Sequence, residues 1–196
     1  MSRSDDSLIA RYLEGDAEAF EDLYRRYASR LLGFVLSLGA DRDAAEDLAQ
    51  RTWLRALEAL DAYKPRGRFR PWLFQTAYRL WVDEKRSGWE RRRTPVDSEE
   101  ELEQAASSDR AASGAEGRPP ADPREQASAC EERELVEAAL KRLPEEMSRT
   151  VLLRIDGDLA YREIAELMGC PLGTVLWRMS EAQRRLAREL ASVRKG

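Results

Sequence analysis

The stretch from Thr94 to about Ala129, TPVDSEEELEQAASSDRAASGAEGRPPADPREQASA, constrains what this chain can fold into more than any other. It is acidic, rich in Ala, Ser, Gly and Pro, and has no aromatic residue. A segment of that composition cannot bury enough apolar surface to offset the entropy of ordering it. It reads as a flexible acidic linker, with at most a short helix near Glu99–Ala106. About 36 residues of it reach on the order of 120 Å when stretched and about 30–35 Å as a coil. It divides the 196 residues into a first domain at 5–93, a linker at 94–130 and a second domain at 131–196. The expectation is two separately folded blocks.

Both blocks show apolar residues at the helical period. Residues 5–14 read as a short helix, broken at Gly15, with Asp16 placed to cap the next. Phe20, Leu23, Tyr24, Tyr27, Leu31, Phe34, Val35 and Leu38 follow at helical spacing, Gly39 ends that helix, and Asp41 can cap another. From Asp43 to Leu60, Ala45, Leu48, Ala49, Thr52, Trp53 and Ala56 share a core face, which leaves Asp47, Gln50, Leu54 and Leu57 away from it. In the second block, Leu135, Val136, Ala139, Leu140 and Leu143 form one stripe, and Met147, Val151, Leu152 and Ile155 another after Pro144. The fold class is all-α: two small helical domains and a linker.

Composition removes several functions. There is no histidine, so Cys/His zinc sites and histidine acid–base catalysis are excluded. Cys130 and Cys170 stand apart without metal spacing and read as free thiols. No Gly-rich phosphate loop and no serine nucleophile elbow occur. The chain reads as no enzyme, with no cofactor and no metal. No apolar run approaches the roughly 20 residues that span a membrane, and the start, MSRSDDSLIARY, lacks the apolar core of a signal peptide. The expected location is cytoplasmic.

Net charge is −4, but its distribution is uneven. Residues 64–93 carry ten basic and three acidic side chains, against eight and thirteen in 1–63 and three and nine in 94–130. A compact positive block between negative segments is the footprint of a polyanion partner. Within it, RGRFRPWLFQTAYRLWVDEKRSGWERRR interleaves arginines with Phe69, Trp72, Phe74, Tyr78, Trp81 and Trp89. Pro71 suits a first helical turn and Gly88 can end the helix. On a helical wheel Leu73, Thr76, Ala77 and Leu80 form the core row, Gln75, Arg79, Val82 and Arg86 a partly cationic row, and Phe74, Tyr78, Trp81 and Lys85 an aromatic one. Arginines for phosphates and rings for unpaired bases suit single-stranded or melting DNA.

The segment LAYREIAELMGCPLGTVLWRMSEAQRRLAREL has the spacing of a helix-turn-helix. Ala165 is small where two helices cross, Gly169 follows four residues later where the turn favours positive φ, and Cys170 and Val175 are apolar where burial is needed. Thr174 can cap the second helix or touch phosphate. Val175, Met179, Ala182 and Leu186 should face the core, leaving Leu176, Trp177, Ser180, Glu181 and Arg184 outside, with Glu181 set to repel phosphate.

Taken together, GDAEAFEDLYRRYASRLL, DAAEDLAQRTWLRALEAL, FRPWL with the basic aromatic helix behind it, and YREIAELMGCPLGTV resemble an extracytoplasmic-function (ECF) sigma factor of the sigma-70 family. The resemblance covers roughly 8–93 and 131–192. It implies a factor that binds core RNA polymerase and directs promoter recognition, DNA melting and transcription initiation, with an anti-sigma factor as a further partner and no membrane insertion of its own. It implies polymerase binding by Asp47, Leu48, Gln50, Arg51 and Leu54. It implies minus-ten DNA contacts by Lys64, Arg66, Arg68, Phe69, Trp72, Gln75, Arg79, Trp81 and Arg86. It implies helix-turn-helix contacts at the minus-thirty-five element by Tyr161, Arg162, Gly173, Thr174, Leu176, Trp177, Arg178, Glu181 and Arg184. Arg51, Tyr78 and Arg79, and Leu176, Trp177, Ser180 and Glu181, depart from the family pattern. The alternative is a sigma-like DNA-binding or interaction protein without full promoter readout.

Overall fold

The computed structural model describes residues 4–93, 135, 136 and 138–193, and the linker expected at 94–130, like Cys130, lies outside them. The first block is built from α1 (Asp5–Leu13), α2 (Ala17–Ser37), α3 (Arg42–Leu60) and α4 (Phe69–Arg93). The second has α5 (Glu145–Ile155), α6 (Tyr161–Met168) and α7 (Leu172–Val193), preceded by helical residues 138–141. No strand occurs among the described residues.

Side-chain caps fix three helix starts. Ser4 accepts from the Ser7 N–H at 3.2 Å, Asp16 from Glu18 at 3.1 Å and Asp41 from Ala44 at 2.9 Å. Each pairs an amide the helix cannot satisfy, and removing one such cap costs about 1 kcal/mol. Gly88 does not end α4, which runs on to Arg93. An interior glycine costs about 1 kcal/mol against alanine, too little to stop a helix flanked by good helix formers.

The core of the first block is aromatic, with Phe69 at its hub. Phe69 is fully buried, and its ring lies 5.9 Å from Tyr27, 6.5 Å from Trp53, 6.1 Å from Tyr63 and 6.0 Å from Trp72. Phe34 meets Phe74 edge-on at 5.1 Å. The core stripe read from α3 is buried throughout.

The two blocks pack against each other. One continuous apolar cluster joins Phe74, Tyr78 and Trp81 of α4 to Leu152, Leu153 and Leu159 of the second block. A separate small core of Leu143, Met147, Val151, Met179 and Ala182 lies within the second block. Gly157 permits the close approach, since a Cβ there would sit 2.7 Å from the Leu153 carbonyl oxygen and 3.3 Å from the Phe74 Cβ. The second face of α4 is thus apolar because α4 is buried from two sides. The aromatic row expected to stack on DNA bases lies instead under the second block.

Candidate nucleic-acid and polymerase interfaces

The α3 surface follows from its core stripe. With Ala45, Leu48, Thr52 and Trp53 turned inward, Asp47, Gln50 and Leu54 face outward, and Leu54 is 53% exposed. Leu48, expected among the polymerase contacts, is 1% exposed and belongs to the core, because it shares the row of Ala45 and Thr52. Arg51 is half-buried; its Nη1 donates to Asp47 and to Glu84 of α4, both at 3.2 Å. It therefore ties this surface to α4.

The basic loop 61–68 is held from below by α1. Asp6 accepts the Tyr63 O–H at 2.9 Å and the Gly67 N–H at 2.8 Å, while the Tyr63 oxygen accepts the Arg68 N–H at 3.3 Å. Gly67 has φ +62°, a left-handed conformation that glycine adopts without strain. Burial first, then the bond to Asp6, pushes the Tyr63 hydroxyl up to about 12. This clamp aims Lys64, Arg66 and Arg68, all exposed. Asp6 sits in an ordinary acidic first turn, so no local pattern points to it.

Between this loop and α4 lies a cleft of about 320 Å³ lined by Leu60, Tyr63, Lys64 and Trp72. Trp72, Gln75, Arg79 and Arg86 run along one side of α4, the first two half-buried and the arginines exposed. Arg79 and Arg86 make no ion pair among the described residues, so this row presents uncompensated charge.

The other side of α4 meets the second block. Trp81, only 3% exposed, stacks under the Arg149 guanidinium at 4.3 Å, with Lys85 at 5.8 Å. Neither the Trp81 indole N–H nor the Arg149 Nε–H has an acceptor among the described residues. Arg70 donates to the carbonyls of Ile155 at 2.6 Å and Asp156 at 2.9 Å, where the α5 C-terminus concentrates negative charge. Arg30 lies 3.9 Å from the Asp156 carboxylate, whose pKa is raised by burial against the pull of Arg30 and Arg70. Arg68 pairs with Glu163, which also accepts the Ala160 N–H at 2.7 Å and so starts α6. Of the residues expected at minus-ten DNA, Phe69 and Trp81 are thus buried and Arg68 is engaged by the second block. Lys64, Arg66, Trp72, Gln75, Arg79 and Arg86 share the accessible side.

In the second block α6 and α7 meet across Gly169, at φ +62°. Thr174 is not a cap: α7 begins at Leu172 and the Thr174 N–H bonds to Pro171 at 2.9 Å. Val175, Met179 and Ala182 are buried and Leu186 packs beside them. Leu176 and Trp177 are 46% and 56% exposed, so Trp177 does not pack on the preceding helix. Arg162 and Gly173 are exposed, and Tyr161 is half-buried under Arg154 at 5.5 Å. Arg178 points inward, 3.1 Å from Glu146 and 3.6 Å from the Cys170 sulfur. Glu181 is not a bare acid. It binds Arg185 at 2.8 Å and Arg184 at 3.1 Å, with Arg188 at 4.0 Å.

Both blocks match known proteins. Residues 23–91 match the family model for sigma-70 region 2 and residues 133–186 that for sigma-70 region 4. The chain is 30% identical to the RNA polymerase sigma-H factor of Pseudomonas aeruginosa, over 95% of this chain and 93% of that one. It is 29% identical to the ECF RNA polymerase sigma-E factor of Escherichia coli K12, over 92% and 91%. The fold is shared with the sigma factor RpoE solved with the anti-sigma factor NepR from Bartonella quintana, at TM-score 0.59 and 22% identity over 89% of this chain and 98% of that one. It is also shared with CnrH solved with the cytosolic domain of CnrY, at TM-score 0.57 and 21% identity over 97% and 99%. No described helix is long and apolar enough to cross a membrane. With both regions in order and relatives along nearly its whole length, the chain belongs to the sigma-70 family, as an RNA polymerase sigma factor of the ECF type.

Proposed function

We propose how this sigma factor, which binds core RNA polymerase and promoter DNA to direct initiation, divides that work among its surfaces. The α3 surface of Asp47, Gln50 and Leu54, with Arg51 as its brace, takes the polymerase. The loop arginines and the side of α4 bearing Trp72, Gln75, Arg79 and Arg86 take the minus-ten strand. Arg79 and Arg86 would hold phosphates, and the cleft of Tyr63, Lys64 and Trp72 would receive an unpaired base. The observation that carries this reading is that Arg79 and Arg86 stand exposed, without an ion pair among the described residues, on the same side of α4 as the ring-lined cleft. Phe69 acts by seating the start of α4, not by contact. Arg68 and Trp81 become available only when the second block moves off α4. The outer side of α7, with Leu176, Trp177 and Arg184, would enter the major groove, joined by Arg162 and Gly173 at its rim.

An anti-sigma factor is proposed as a further partner, by extension from the RpoE–NepR complex. The workplace is cytoplasmic, alongside the polymerase. Run-off transcription with purified core polymerase on upstream regions of the source genome, read with permanganate footprinting, tests the division. Arg79→Ala and Arg86→Ala should reduce thymine reactivity at the opened region and flatten the salt dependence of the promoter complex. Unchanged reactivity in both would remove α4 from the melting step.

A further inference from the structure

All four arginines on α7 between Leu172 and Glu189 are engaged by acids. Arg178 is turned inward to Glu146, leaving its side chain 17% exposed. The other three converge on one carboxylate: Glu181 Oε1 takes Arg185 Nε at 2.8 Å and faces Arg188 Nη2 at 4.0 Å, while Oε2 takes Arg184 Nη2 at 3.1 Å. The three guanidinium-bearing side chains are 62%, 42% and 73% exposed for Arg184, Arg185 and Arg188, but Glu181 beneath them is 15% exposed. The hydrogen bond from Arg185, with the charges of all three arginines, holds the Glu181 carboxyl below its ordinary range, so it stays ionised at neutral pH. The arrangement is opposite to that of α4, whose Arg79 and Arg86 carry no acid partner among the described residues.

We propose that Glu181 is a specificity-determining residue for duplex DNA: by holding Arg184, Arg185 and Arg188 on its own carboxylate, it restrains α7 from gripping phosphates of any sequence. This rests on the reading of α7 as the helix that faces DNA. A phosphate and a carboxylate compete for the same guanidinium donors. A duplex that offers only phosphates must displace Glu181 at each arginine, and it releases fewer counterions in return than three free cations would allow. Base-edge contacts by the uncharged neighbours Leu176 and Trp177 carry no such internal competitor. Their share of the binding, and with it discrimination, therefore rises.

The test uses the full chain and a short fluorescent duplex of random sequence, titrated across a range of salt. Glu181→Gln removes the competing charge and keeps the shape. It should bind about tenfold more tightly at low salt, with a log–log salt slope steeper by about one to two. Glu21→Gln is the control: Glu21 pairs with Arg25 on exposed α2, so it makes the same net-charge change in the other block and should leave the slope near wild type. A Glu181→Gln slope equal to that of wild type or of Glu21→Gln overturns the proposal. Arg188→Ala separates this from the reading beneath it. If Arg188→Ala weakens wild-type binding while Glu181→Gln changes nothing, α7 faces DNA but Glu181 does not restrain it. If neither substitution has any effect, α7 does not face DNA and both readings fail. Independently of any substitution, the Arg185 Nε–Hε resonance of the wild-type chain should keep its carboxylate-bonded position when random duplex is added. Its shift to a phosphate-bonded position would overturn the proposal even if Glu181→Gln did not fold.

Discussion

The helices α4 and α7 invite comparison, since both are long, rich in arginine and proposed here to meet DNA, yet they use aromatic residues and charge in opposite ways. On α4 four of the rings are buried, while Trp72 is half-buried at the cleft. Phe69 anchors the first-block core, and Phe74, Tyr78 and Trp81 lie beneath the second block. Arg79 and Arg86 on its outer side have no acid partner among the described residues. On α7 the ring is bare and the arginines are paired: Trp177 is 56% exposed, and three arginines share Glu181. An aromatic residue on a helix is therefore no measure of a DNA surface by itself. What covers it, and whether the neighbouring cations are already satisfied, decides its use.

Phe69→Ala should give the largest effect on this contrast. Removing the hub of four ring contacts should cost the first block about 3–5 kcal/mol in urea unfolding. A loss under 1 kcal/mol would mean that the α4 rings are not core, and the contrast would collapse. Leu54→Asp should weaken association with core polymerase by about 2 kcal/mol with helicity unchanged; equal affinities in a pull-down titration would remove α3 from the polymerase interface.

Arg70→Ala addresses the cover over α4. It removes two charge-assisted bonds to the end of α5 and should shift the ratio of closed to open molecules by about 1–2 kcal/mol, several-fold in population. Energy transfer between dyes on the two blocks would report it as a lower mean efficiency. The closed arrangement is already taxed by the Trp81 indole N–H and the Arg149 Nε–H, which have no acceptor among the described residues and each cost about 1–3 kcal/mol, so a modest loss should be visible. Efficiency equal to wild type would show that Arg70 does not hold the cover.

Trp177→Ala should change stability by less than about 0.5 kcal/mol, because its ring has little to lose on truncation. A larger loss in thermal unfolding would mean that Trp177 packs in solution, and α7 would then resemble α4. The smallest effect concerns the clamp under the basic loop. The Tyr63 hydroxyl ionises near 12 when folded and near 10 when unfolded, so between those values the folded state holds the extra proton and stability falls as pH rises. Tyr27 is raised for the same reasons, burial and a bond to Asp5. Tyr63→Phe should make the alkaline decline shallower without abolishing it, and an unchanged decline would show that Tyr63 is not clamped.

Much of this was legible before any coordinates. The helical period of Ala45, Leu48, Thr52 and Trp53 named the buried face of α3, and the caps at Asp16 and Asp41 lie where short polar side chains must satisfy orphan amides. The same logic sorted α7, from buried Val175, Met179 and Ala182 to exposed Leu176 and Trp177. These are local facts, fixed by 3.6 residues per turn and by hydrogen bonds that span only a few residues.

The sequence alone determined that this chain is two helical blocks with the ordered motifs of a sigma factor, a positive helix in the first and a helix-turn-helix in the second. The tertiary structure alone decided which of the candidate site residues are open. Burial of Trp81 under Arg149, the engagement of Arg68 by Glu163 and the Arg70 clasp on α5 join residues some 70 to 95 positions apart, and the Asp6 clamp on the basic loop spans about 60. No periodicity encodes such pairs: a helical pattern shows that a face is apolar, whereas what covers it depends on where the rest of the chain packs.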